Sequence, residues 1–424
     1  MKTNRWLIFS VCSLLFVMSM LYRASIVLIA PEISHDLQLS AQDLGLLGAI
    51  FFYVFGLAQL PLGFFLDQMR PKRIMLFLNM TAVLGAIVFA AAPGYGFGLL
   101  GRSLLGLGMS ANIVGSLTLY VAWFKPSEFA SVAGLTFGIG ALGGLLATSP
   151  LHVLVTIIGW RMVFVVLALI TFVLTVAFYY VVQDSPDDET QVRWVTENPN
   201  RLSVMETCRL LFTDFSYVCI AVTTGLRYGV YAAVQSLWAG PFLILYLGVP
   251  TVLAANLLLL LNIGFIFGGP LAGFLNDRLF GRPKRIMLAS LLFMVLCLAG
   301  LAAENSPDRN ILLACFLFTF GLFGGFGHIA FAHIKTLITP ELSGRAFAIN
   351  NFCSMMGGGL FIHGLGSFIG RGTSGSLEAG KNYPLAFWLC AAALIVGAVI
   401  YAFSRDTLIA EKKTGVPEAE LIHE

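Results

Sequence analysis

Apolar runs separated by short polar breaks fill nearly the whole chain. A helix needs about 20 mainly apolar residues to cross a bilayer core. Twelve runs fit that description, at roughly 6–30, 44–66, 74–92, 97–122, 130–157, 162–182, 216–246, 251–275, 286–303, 310–334, 346–369 and 383–403. Pro31 and Pro150 mark a helix end or a kink in two of them, not a break in a fully lipid-facing helix. One long polar stretch interrupts the pattern, at about 184–214; it opens DSPDDETQ, contains ENPN and carries Arg193, Arg201 and Arg209. A segment this short cannot bury a core of its own, so it reads as a linker between six runs and six runs. The expected organisation is a bundle over 1–183, a linker over 184–215, a second bundle over 216–404 and a tail over 405–424. The fold class is all-α integral membrane, with twelve transmembrane helices.

The two halves share a phrase. Residues 61–76 read PLGFFLDQMRPKRIML and residues 270–288 read PLAGFLNDRLFGRPKRIML, with RPKRIML identical at 70–76 and 282–288. Each copy closes one apolar run and opens the next. Two homologous, pseudo-symmetric six-helix bundles follow, with both copies on one side of the membrane. In such duplications the working site lies between the bundles, near the bilayer midplane.

Composition narrows the class. The chain is 58% hydrophobic and 11% charged, with a mean hydropathy of +0.87; a soluble domain carries roughly 25% charged residues. The net charge of +3 is small, and Lys and Arg punctuate apolar runs without forming a basic face, so no nucleic-acid partner is expected. The seven cysteines are scattered without a CxxC pair and read as small hydrophobes. The first run is too long for a signal-peptide core and lacks a clear cleavage site, which makes it an uncleaved first helix. Of the Lys and Arg residues, only Arg161, Arg309, Arg371 and Lys381 fall in segments opposite the N-terminus, while Arg23, Arg102 and Arg227 fall inside runs. Both termini and the linker are therefore expected in the cytoplasm, and the protein in the cytoplasmic (inner) membrane.

The loops after the second and eighth runs carry a resemblance. Gly63-x-x-x-Asp67 followed by Arg70, Lys72 and Arg73, and Gly273-x-x-x-Asp277 followed by Arg278, Arg282, Lys284 and Arg285, resemble the signature loop of the major facilitator superfamily and its second copy. The resemblance covers nearly the whole chain and implies the major facilitator fold. Gln68 departs from it, standing where a second basic residue is common. The implied role is a gate: Gly lets helices approach closely, and a helix-end Asp pairs with basic groups that part as the halves rock. The bland alternative is topology alone. Arg102-x-x-x-Gly106-x-Gly108 resembles the family's fourth-helix motif; snorkelling of Arg102 to water is the alternative. The fifth run, GLTFGIGALGGLLATSP, is glycine-rich like the drug-exporter motif but lacks its Gly-Pro pair. NNFCSMMGGGLF answers it in the eleventh.

Arg23 and Arg227 stand in equivalent runs of the two halves, flanked by Tyr22 and Tyr228. A guanidinium at mid-membrane costs about 2.5–3.5 kcal/mol on insertion scales, and its planar fork of donors suits carboxylate or phosphate. The pattern resembles the organic-anion/cation symporters and organophosphate antiporters of the superfamily, which implies that these arginines hold an anionic group. Gln59 replaces a second-helix Lys, which favours a carboxylate over a phosphate. Tyr22 stands where many proton-coupled relatives carry an acid. A structural alternative remains open: each arginine bonds helix carbonyls or a neighbouring Tyr.

Tyr231, Gln235, Trp238 and Asn351 complete the expected substrate site, with Tyr53, Asn112, Asn256 and Asn350 as further polar residues of suitable depth. His328, His333 and His363 are considered for proton or ligand work against hydrogen-bonded packing. A soft metal site at His328 and His333 is disfavoured, because an i, i+5 pair does not share a helix face. No phosphate-binding glycine loop, metal cluster or nucleophile–base pair is legible, so no enzyme and no cofactor is expected. The reading is a monomeric, alternating-access secondary transporter of a small organic anion, with a coupling proton or counter-anion and the lipid bilayer as its other partners. The rivals are an exporter of amphipathic drugs or siderophore-like compounds, and a non-transporting nutrient sensor.

Overall fold

The computed structural model describes residues 4–185, 204–276, 282–304, 306, 309–338, 340–370 and 382–405. Among these, eleven helices are long and apolar enough to cross a membrane, and the apolar part of a twelfth is Val132–Leu146. In chain order they are α1 (Arg5–Ala24), α2 (Ala41–Gln68), α3 (Pro71–Ala90), α4 (Tyr95–Trp123), α5 (Pro126–Leu146), α6 (Ser149–Val181), α7 (Phe215–Tyr246), α8 (Thr251–Phe274), α9 (Pro283–Ala303), α10 (Asn310–Leu337), α11 (Pro340–Ile369) and α12 (Tyr383–Ala402).

Packing repeats between the halves. In the first, α1 lies along α5, α2 along α4 and α3 along α6. In the second, α7 lies along α11, α8 along α10 and α9 along α12. The shared RPKRIML phrase performs the same local task twice. Its Pro sits in the first turn of α3 and of α9, where a missing N–H is harmless. The start of α3 meets the end of α6, with the Lys72 N–H donating to Asp184 at 2.8 Å. The start of α9 meets the end of α12, with Lys284 Nζ donating to the carbonyls of Ala402 and Ser404. Met75 and Met287 are both fully buried beneath.

Three boundaries depart from the hydrophobic pattern. The first run does not continue as one helix to residue 30: α1 ends at Ala24, and after a turn a short helix, Ala30–Asp36, begins with Pro31 in its first turn. That short helix is tied to α6 through Asp36, which accepts from the Trp160 indole and from Arg161. These two donors hold the Asp36 carboxyl below its ordinary value. The fifth run is interrupted at Ala147–Thr148: α5 stops at Leu146, and Pro150 sits in the first turn of the helical segment that carries the run on towards Gly159. Gly159, at φ 76° and ψ 156°, is non-helical and divides α6 into two helical segments at the boundary between the fifth and sixth runs; other residues adopt that conformation only under strain. Finally, α7 widens into π turns at Val234–Trp238 and Phe242–Tyr246, and α10 tightens into a 3₁₀ turn at Phe326–His328.

The halves meet along three seams. α2 packs antiparallel to α11, with Gly45 against Gly366, Gly56 against Met355 and Gly358 against Phe52. α1 and the turn after it meet α7, where Gly240 stands against the Val27 carbonyl. α5 and α6 meet α8 with Gly144 against Asn262 and Ser149 donating to Asn256 at 2.9 Å. These last contacts lie toward the side opposite the chain ends. Gly273, three turns beyond Asn262 on the same face of α8, has nothing within 4 Å of where a Cβ would stand.

Small residues set these distances, since packing between membrane helices relies on close backbone approach. A Cβ on Gly357 of α11 would collide with the Gly225 carbonyl of α7, whereas Gly364 of the same helix faces open space. Gly357→Ala should therefore lower stability in thermal unfolding of detergent-solubilised protein, by about 1–3 kcal/mol for overpacking. Gly364→Ala should leave it unchanged or raise it through helix propensity. Equal melting temperatures for the two variants would contradict this account of the α7/α11 seam.

Candidate functional site

Arg23 occupies the last turn of α1 and is only 8% exposed. Its Nη1 donates to the Tyr228 hydroxyl of α7 at 2.9 Å, a bond that spans the two halves. The guanidinium lies 4.9 Å from the Phe55 ring and 5.8 Å from the Phe52 ring of α2, a cation–π setting. Its Nε is buried without a hydrogen-bond partner.

Arg227 lies one residue before Tyr228 and is 3% exposed. Its Nη2 donates to the carbonyls of Phe323 and, at 2.8 Å, Gly324, immediately before the 3₁₀ turn of α10. A Cβ at residue 327 would occupy the place of Nη1, so Gly327 admits the guanidinium. Nε again has no partner. Among the described residues neither guanidinium meets a carboxylate. The structural alternative thus accounts for part of each arginine, a tyrosine for Arg23 and helix carbonyls for Arg227, and leaves donors over in both.

Around this pair the α7 residues spread along one face. Tyr231 stacks on Phe265 of α8 at 4.9 Å and on Phe320 of α10 at 6.0 Å, and lies 6.3 Å from the Tyr228 ring. Gln235, in the first π turn, donates to Asn262 Oδ1 at 3.0 Å and accepts from Ser236. Gly144 of the opposite half lies against that amide pair. Asn262 is the lone polar residue in LLLLLNIGF and escaped selection by sequence. The rings of Phe52 and Phe55 escaped it too, because nothing in a Phe-rich chain singles them out.

Several expected site residues lie elsewhere. Tyr22 turns away from the seam toward α6, its hydroxyl 3.2 Å from that of Thr171. Gln59 donates to the Ser110 carbonyl of α4 at 2.9 Å and is 5% exposed. Trp238 is fully buried and donates to the Ile362 carbonyl of α11. Asn351 is half-buried, whereas Asn350 is fully buried with both amide atoms unpartnered. Tyr53 packs beneath Gly359, Asn112 pairs with Asn79 inside the first half, and Asn256 holds Ser149. His333 is committed on both ring nitrogens, to the Tyr401 hydroxyl and the Arg405 carbonyl. His363 is half-buried on α11.

Arg102 does not snorkel. It is 1% exposed, donates to the Tyr22 carbonyl at 2.8 Å and more distantly to that of Leu47, and lies 4.9 Å from the Phe51 ring. It thereby fixes the end of α1 one residue before Arg23. Of the gate residues, Arg70 caps α3 and, like Arg73 and Arg285, is exposed. Gly63 and Asp67 fall within α2, but the Asp67 side chain lies outside the described residues, as do Asp277 and Arg278. Gly273 falls in the last turn of α8. Among the described residues no cluster of three or more His, Cys, Asp or Glu could hold a metal.

Comparison with known proteins places this architecture. The model of the Major Facilitator Superfamily matches residues 11–362. The probable galactarate/D-glucarate transporter GudP of Bacillus subtilis is 24% identical over 380 residues, 82% of each chain. The probable sulfoacetate transporter SauU of Cupriavidus necator is 25% identical over 189 residues, 45% of this chain; the match spans only 44% of that relative's length. A bacterial homologue of the human lysosomal transporter Spinster, solved in an inward-facing and occupied conformation, superposes with a TM-score of 0.76 at 16% identity, covering 94% of this chain and 96% of that one. With its twelve-helix fold and a family match over most of its length, the chain belongs to the major facilitator superfamily and is a membrane transporter.

Proposed function

We propose that this transporter moves a small organic anion, a carboxylate in preference to a phosphate ester, by alternating access across the cytoplasmic membrane. One observation carries the reading: two buried guanidiniums, one from each half, with no carboxylate beside either among the described residues. A buried charge without a counter-charge is expensive, and an anionic substrate supplies the counter-charge. The side chain of Gln59 is committed to a backbone carbonyl, leaving no second-helix cation for a phosphate dianion. GudP, a probable galactarate/D-glucarate transporter, and SauU, a probable sulfoacetate transporter, favour the same substrate class.

On this reading residues 1–183 and 216–404 rock as units about the seam, with 184–215 linking them and 405–424 as a tail. The Lys and Arg distribution supports an orientation with both ends in the cytoplasm. A C-terminal epitope should resist protease in intact cells and be cut only after permeabilisation; cleavage in intact cells would reverse the orientation.

A thermal-shift screen of purified protein should find stabilisation by D-glucarate, sulfoacetate or a related carboxylate, since a ligand of the folded state raises the melting temperature by mass action. Arg23→Lys and Arg227→Lys should each weaken that binding by about 1.5–3 kcal/mol, the range for a hydrogen bond to a charged group. Lys keeps the charge but loses the fork. Unchanged affinity in both folded variants would make the arginines structural. Stabilisation by amphipathic cations alone would favour the exporter.

The signature-loop residues are proposed as the gate, with Asp67 and Asp277 pairing near the helix ends and Arg70, Arg73, Arg278 and Arg285 around them. Asp67→Asn should slow transport in proteoliposomes while leaving anion affinity within a few-fold. Lost affinity at an unchanged maximal rate would rule out gating.

A further inference from the structure

We propose that Nε2 of His328 is the binding site for a coupling proton, taken up with the anion from the side of the chain ends. The proposal rests on the reading that Arg227 takes part in anion binding. It selects one of four histidines in the spans, His152, His328, His333 and His363, and the selection is geometric.

His328 closes the 3₁₀ turn of α10, directly after Gly327, whose Cα abuts the Arg227 guanidinium. Its ring lies 5.9 Å from Phe137 of α5, in the other half, and 6.1 Å from Phe265 of α8. It therefore stands at the α5/α8 seam, on the chain-end side of the Gly144–Asn262 contact. Although it lies deep within the protein, the residue is exposed. Exposure at such depth means open space between the halves, which is a route for a proton.

The tautomer follows from the bonding. Nδ1 is 3.0 Å from the Gly325 carbonyl. A carbonyl only accepts, so Nδ1 carries the hydrogen and, in the neutral ring, Nε2 presents a lone pair. Among the described residues Nε2 has no hydrogen-bond partner. Proton uptake forms an Nε2–H bond and breaks nothing in the protein. His333 cannot do this without giving up a partner, because both of its nitrogens are engaged.

The charged surroundings make the proton and the anion dependent on each other. From α7, Arg227 faces the ring, with Tyr228 and Tyr231 further along the helix. Residues Thr251–Phe274 of α8 contain no charged or titratable group, α9 places only Cys297 between Met287 and Ala303, and on α5 the acid Glu128 lies at the far end, paired with Arg5. No carboxylate among these stabilises a cationic ring, and Arg227 opposes it. An anion at Arg227 removes that opposition. Anion binding and ring protonation therefore favour each other, and linkage makes the effect reciprocal. The sign is definite: anion affinity should fall as pH rises through the titration of the ring.

The test measures affinity for D-glucarate and sulfoacetate against pH in wild-type protein and in His328→Gln. It is paired with calorimetry in two buffers of different ionisation enthalpy, which counts protons taken up per anion. Wild type should bind more tightly at low pH and take up as much as about one proton per anion near neutrality. His328→Gln should bind with the wild-type affinity of high pH, independent of pH, and take up none. A pH-independent wild type, or a variant that keeps the wild-type slope and proton count, overturns the assignment. So does a folded variant that binds neither anion at any pH, since the ring would then be an anion ligand. Should wild type bind neither anion, the organic-anion reading fails separately, and histidine-selective NMR of the ligand-free protein decides the proton site. The signal missing in His328→Gln must titrate between about pH 5 and 8; a ring silent across that range overturns the proposal.

Discussion

A guanidinium enclosed by membrane helices must find acceptors, and helix carbonyls are free only where a helix ends or changes pitch. Arg102 and Arg227 both solve the problem in this way. α1 stops at Ala24, and the Tyr22 carbonyl near that end takes a hydrogen bond from Arg102 and another from Ser25. α10 tightens at Phe326–His328, and the Phe323 and Gly324 carbonyls just before the turn take Arg227. The irregularities of the backbone and the positions of the charges are one feature. A straight α10 would leave Arg227 without acceptors, and a side chain at residue 327 would leave it without room.

The same irregularities give the two halves unequal seams. α2 and α11 are held together by glycine contacts from Gly45 and Gly366 through Gly56 and Met355. On the α5/α8 side the described contacts are the Gln235–Asn262 amide pair with Gly144 beside it, and His328 between Phe137 and Phe265. A hinge needs one edge that stays packed and another that parts. The described glycine contacts of the packed edge meet apolar side chains and backbone. The α5/α8 edge carries amides, aromatic rings and His328. Polar groups tolerate alternating between a protein partner and water better than an apolar contact does, since each has a replacement available.

Much of this was legible in the apolar pattern and the repeated phrase, because both reflect constraints that act on every residue of a span. The number of crossings, the fold and the duplication follow from segment length and from RPKRIML. The exact ends did not. A run of apolar residues does not show that Ser25 and Arg102 together terminate α1, because one of the two comes from a helix far away in sequence. Facing was also hidden. Tyr22 and Arg23 are neighbours in sequence and point to different partners, Thr171 and Tyr228, since adjacent residues on a helix are about 100° apart. Asn262 was overlooked for a related reason: a single polar residue acquires meaning only once Gln235 is seen beside it.

The bond between Arg23 and Tyr228 bears on how an anion could drive the cycle. It already joins the halves before any substrate is present, with a neutral hydroxyl as acceptor. An anion that reached Arg23 on the proposed route would exchange that neutral acceptor for a charged one. The guanidinium is charged in both bonds, so both fall in the range of about 1.5–3 kcal/mol for a hydrogen bond with a charged partner. The exchange therefore gains part of one such bond, not the full strength of an ion pair. A shift from one dominant state to the other needs a differential affinity of about 5.5 kcal/mol, which no single exchanged bond supplies. The anion must therefore contact both arginines in the state it favours, so that several exchanged bonds and the removal of two uncompensated charges act together. Placing one guanidinium in each half makes that joint contact available only when the halves approach, which ties substrate occupancy to the motion itself.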